Sequence, residues 1–94
     1  MNFSEIFDKI SSLASQKGGL GNSIKFATDQ GNIHISADGV VTNTDSPADC
    51  TISVKASDLA ELMTGKLNPM TAVMFGKIKI AGDMSIAMKL QSLF

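Results

Sequence analysis

Few side chains in this sequence are of a kind that performs chemistry, and their spacing limits what they can do. His34 is the only histidine and Cys50 the only cysteine. A thiol beside an imidazole can act as nucleophile and base, provided the fold brings the two together. His34 stands between Ile33 and Ile35, so in a strand it faces away from both. Cys50 begins an alternation with Ile52 and Val54 and reads as a small apolar strand residue. Asp45 and Asp49 flank Pro47 in a polar stretch and read as solvated, and no carboxylate pair has a spacing suited to acid–base work. No group of Cys, His and carboxylates has metal-ligand spacing. The expectation is a protein that is not an enzyme, with no catalytic residue, no metal and no cofactor.

The methionines say more. Apart from Met1, all five fall between positions 63 and 88: Met63, Met70, Met74, Met84 and Met88. Met is flexible and polarizable and recurs where several apolar partners must be accommodated, whereas tightly specified cores favour Leu, Ile and Val. The glycines of Gly18-Gly19-Leu20-Gly21 follow a helix rather than a strand and match neither dinucleotide nor phosphate-loop spacing. They read as a flexible connector.

The elements that would position these residues are clearly punctuated. Phe3, Ile6, Phe7, Ile10, Leu13 and Ala14 recur at helical spacing, capped by Asn2 or Ser4 and ending near Lys17. From Ser23 the period becomes two. Ile24 and Phe26, then Ile33 and Ile35, then Val40 to Thr42 form three strands of an antiparallel meander, and Cys50 to Val54 a fourth. A helix follows, with Asp58 as cap and Glu61 three residues on, stopping at Gly65. Asn68-Pro69 opens a short helix and Gly76 ends it. Lys77 to Ile80 makes a fifth strand, Gly82 a turn, and Asp83 caps a last helix. That helix is apolar twice over, through Ile86, Leu90, Leu93 and Phe94 on one side and Met84, Ala87, Met88 and Gln91 on another. A surface helix needs only one apolar stripe. The expected fold is α/β (α+β), a five-stranded, mainly antiparallel sheet with about four helices on one face.

Length and charge narrow the class further. Ninety-four residues, 44% hydrophobic and 18% charged, make one domain, 1–94. There is no Arg, which argues against nucleic-acid partners. The net charge of −1 is uneven: residues 55–94 hold five Lys against three acids. That basic half could favour transient contact with an anionic membrane surface. A single Cys suits a reducing compartment. There is no apolar run of about 20 residues, no secretory leader and no Ser-Lys-Leu terminus, which points to a cytoplasmic, bacterial setting.

The run Gly65-Lys66, Asn68, Ala72, Gly76-Lys77-Ile78-Lys79-Ile80, Gly82-Asp83, Ala87, Lys89 and Leu90 resembles the C-terminal signature of the sterol carrier protein 2 family. With the preceding helix, the likeness covers residues 58–94. It implies a small domain with an apolar tunnel that holds fatty acid, fatty acyl-CoA, phospholipid or a sterol-like molecule and transfers it. Within the resemblance, Val73 and Met74 occupy positions where relatives often carry ligand-facing aromatics, and Phe75 stands where a polar Gln is common. The expected ligand-binding residues are Met63, Val73, Met74, Phe75, Met84, Ala87 and Met88, with Ile33 and Ile35 lining the sheet side. Gly82 is the expected hinge for opening. The alternative is a structural or assembly domain whose apolar last helix docks on a protein partner or a second copy. Phe94 suits a docking tip as readily as a plug for the tunnel.

Overall fold

The computed structural model describes residues 2–89. In chain order the elements are α1 (Phe3–Lys17), β1 (Ile24–Thr28), β2 (Gly31–Ile35), β3 (Val41–Thr42), β4 (Cys50–Val54), α2 (Ala56–Met63), α3 (Pro69–Met74), β5 (Ile78–Gly82) and α4 (Met84–Met88). The sheet is open, in the order β3-β2-β1-β4-β5. β1 and β4 pair in parallel; the other three pairings are antiparallel.

Register puts every large apolar strand residue on one face. Ile24 lies opposite both Ile35 and Cys50, and Phe26 opposite both Ile33 and Ile52. Ile52 in turn faces Ile80, and Val54 faces Ile78. All four helices cover this face, as one apolar face per sheet requires. Ile6, Ile10 and Ala14 of α1 are buried on it. The other face carries Lys25, His34, Thr51, Ser53 and Lys79, and the loop 43–49 crosses part of it. There Lys25 Nζ meets Asp45 at 2.6 Å and His34 Nε2 donates to the Pro47 carbonyl at 3.0 Å.

α1 opens on a capping box in which Asn2, not Ser4, accepts from the Glu5 amide at 2.8 Å. α2 begins two residues before Asp58, so Asp58 sits in its first turn and does not cap it. The cap comes from the β1–β2 turn instead: Asp29 accepts from the Ala56 amide at 2.8 Å. Asp29→Ala should therefore lower stability by about 1 kcal/mol. That loss reads as a lower urea midpoint at unchanged slope, and Asp58→Ala should cost less. Finally, the 18–21 segment is packed rather than a flexible connector. A side chain at Gly19 would lie 2.5 Å from the Ala37 carbonyl oxygen, and the Gly21 amide donates to that same carbonyl at 3.1 Å. Two backbones cross there at a distance only glycine allows.

Candidate functional site

At the β4–β5 side of the sheet, α3 and α4 do not close over the apolar face. The gap between them is a groove. Its floor is Phe26 of β1, Ile52 and Val54 of β4, and Ile78 and Ile80 of β5; Leu62 of α2 contributes to a wall. Pro69, Met70 and Val73 of α3 and Met84, Ala87 and Met88 of α4 complete it. Among the described residues, no charged side chain lines it. The groove holds about 60 Å³ of space, room for roughly two waters and well below the ~300 Å³ at which ligand pockets begin. Its rim is nevertheless wide and apolar, since Met70, Met84 and Met88 are each more than half exposed.

Helix phase explains which expected residues reach the groove. Val73, Met84, Ala87 and Met88 line it. On α3, Val73 and Met70 border the groove; Met74 lies beyond Met70 on the side away from Val73, and Met74 and Phe75 stand 83% and 76% exposed. On α2, Leu62 faces the groove while Met63, one residue further round, packs partly buried against the core. Ile33 and Ile35 lie on the correct sheet face but on β2, fully buried and outside the groove. The sheet-side lining comes from β1, β4 and β5, because β4 inserts between β1 and β5. Leu90, Gln91, Leu93 and Phe94, which would continue the two apolar stripes of α4, lie outside the described residues.

Two local devices hold α4. Asp83 accepts from both the amide and the hydroxyl of Ser85, at 2.9 and 2.7 Å, and these bonds keep its carboxyl below the usual carboxylate range. At the other end Lys89 Nζ donates to Asn22 Oδ1 at 2.7 Å and to the Leu20 carbonyl at 3.3 Å, tying α4 to the segment before β1.

The reactive groups are kept apart. Cys50 shares the buried face with Ile24, whereas His34 pairs with Lys25 on the other face, so the sheet itself separates thiol from imidazole. Burial, and secondarily the charge of Asp83, push the Cys50 thiol up, away from the reactive thiolate. Among the described residues, no three His, Cys, Asp or Glu side chains gather where a metal could be held. No helix among them is long and apolar enough to cross a membrane.

Comparison with known proteins finds one family model, the SCP-2 sterol transfer family, matching residues 11–94. Sterol carrier protein 2 of Bos taurus is 59% identical over 54 residues, 57% of this chain and 10% of that protein. This chain thus spans about a tenth of the length of the curated relatives it matches. Among solved structures, the sterol carrier protein 2 of Aedes aegypti in complex with palmitate superposes with a TM-score of 0.81 at 18% identity, over 98% of this chain and 94% of that one. The sterol carrier protein domain 2 of Helicoverpa armigera gives 0.67 at 29% identity, over 98% and 72%.

Proposed function

Because the chain belongs to the SCP-2 sterol transfer family, we propose that it binds a long-chain apolar lipid in the α3–α4 groove and passes it on chemically unchanged. The observation that carries this reading is an uncharged groove with an exposed, methionine-rich rim. The Aedes aegypti protein of the same fold holds palmitate, which supports an acyl chain; fatty acid, fatty acyl-CoA, phospholipid and sterol-like molecules all supply the needed apolar body. A carrier has no use for a reactive thiol, and Cys50 is free and buried. Such a thiol suits a reducing cytoplasm. A docking role for α4 has less support, since Ile86 and Ala87 are already buried and Met84 and Met88 line the groove.

Chain length should set affinity. Each methylene buried in the groove contributes about 0.8 kcal/mol, so a longer acyl chain binds more tightly. Native mass spectrometry of freshly purified protein, then organic extraction and reloading with saturated fatty acids from octanoate to palmitate, tests both points. Discrete lipid masses lost on extraction are expected, with reloading that is weak for octanoate and strong for palmitate. A bare chain mass that takes up no member of the series would sink the reading.

A further inference from the structure

The exposed residues Met74 and Phe75 do not belong to the groove, yet they are the most exposed large apolar side chains of the described residues. They are not on a frayed end. The Lys77 amide donates to the Ala72 carbonyl at 2.9 Å and the Gly76 amide to the Val73 carbonyl at 3.1 Å, the paired bonds of a Schellman motif with Gly76 at φ 72°. That motif usually carries an apolar residue in the position Lys77 occupies. Here the apolar side chains are held outward and the next residue is charged.

The cations around this corner converge. Lys55, Lys77 and Lys79 line a shallow depression on the outer face of the sheet, together with Gly76 and Asp29. Lys25–Asp45 is the one ion pair among the described residues, so none of these three lysines has a salt-bridge partner there. Asp29, which accepts from the Ala56 amide, is among the described residues the single carboxylate lining the depression and leaves the three lysines in net excess there. A rigid apolar tip of two residues beside three unpaired lysines has the composition of an interfacial anchor: side chains that enter the acyl boundary, flanked by cations for anionic headgroups.

We propose that the α3–β5 corner docks on an anionic lipid bilayer, with Met74 and Phe75 inserted and Lys55, Lys77 and Lys79 at the headgroups. Val73, one residue before the tip, lines the groove. Docking would therefore set the groove wall against the membrane from which a lipid is taken. Charge argues for this occupant over a protein surface of apolar character, which would leave the three lysines without counter-charges.

The test is flotation of the full chain with vesicles of equal parts phosphatidylglycerol and phosphatidylcholine, against phosphatidylcholine alone. Binding is expected only to the anionic vesicles and should weaken steeply as salt rises past about 0.15 M. The triple variant Lys55→Gln, Lys77→Gln, Lys79→Gln should lower partitioning by about a hundredfold, near fivefold per lysine. Phe75→Ser should lower it about tenfold. Val40→Ser, which removes an exposed apolar side chain elsewhere, should leave it unchanged. The docking proposal rests on surface chemistry separate from the groove, so palmitate loading of each variant is followed in parallel by native mass spectrometry and should be retained. Equal partitioning of wild type and triple variant overturns the proposal, as does equal binding to neutral vesicles. So does a solution dimer that Phe75→Ser dissolves, which would assign the tip to self-association.

Discussion

Ala87→Leu should make the protein more stable and a weaker binder of lipid. Ala87 lies on the inner wall of the groove and is only 8% exposed, so a larger apolar side chain there extends into the unfilled space. Filling a cavity of about 60 Å³ recovers up to about 1.4 kcal/mol. In a domain of this size that raises the melting temperature by roughly 6–11 °C. A ligand must then displace or compress a packed Leu, and overpacking typically costs about 1–3 kcal/mol, a loss of affinity of about fivefold to 150-fold. Calorimetry of the delipidated variant and fluorescence competition with a fatty-acid probe measure the two effects. Opposite signs are the signature. A variant that melts higher yet binds as before would move the ligand elsewhere on the molecule.

Gly82→Ala should remove about 3 kcal/mol of stability. Gly82 ends β5 opposite Cys50, at φ 117°, a backbone region that L side chains rarely enter. A Cβ there would lie 2.6 Å from the Asp49 carbonyl oxygen, which is backbone and cannot swing aside. Strain at such a position is worth about 1–3 kcal/mol before the clash is added. Against a total of roughly 5–14 kcal/mol for a chain of this length, the loss is large. It should show as a fall in the urea midpoint, and an unchanged midpoint would mean that β4 and β5 can separate at this end at little cost. The same geometry revises the hinge expectation. Proline, locked near φ −65°, cannot occupy Gly82, so Gly82→Pro breaks the strand pairing instead of freezing a joint.

Local signals in the sequence were reliable wherever the physics was local. The alternation through Ile24, Phe26, Ile33, Ile35, Ile52 and Val54 located three strands and their shared face. Asn68-Pro69 and Asp83 announced the starts of α3 and α4, and both side chains cap as their types suggest. The features that local pattern does not carry depend on long-range placement. The cap of α2 is Asp29, far away in sequence, and nothing near Ala56 signals it. The groove floor needed the strand order, because Ile52 and Ile78 line it only once β4 lies between β1 and β5. Helical phase separated neighbours of similar chemistry: Val73 and Met70 border the groove, while Met74 and Phe75 stand clear of it. Among the five clustered methionines, Met70, Met84 and Met88 line the groove and Met63 and Met74 do not, a division that composition alone cannot make.

The parallel seam between β1 and β4 has a consequence for the order of assembly. α1 and the β1–β2–β3 meander are contiguous in the chain and form early contacts with short loops; β4 must return past the whole meander to reach β1, and β5 joins only after α2 and α3. During synthesis the N-terminal part emerges first and presents the free edge of β1 until β4 arrives. The groove is thus built last, on the outermost strand, where local opening demands least of the rest. Its two helices rest on β4 and β5, so parting them from the sheet breaks no hydrogen bond of the β1–β4 seam.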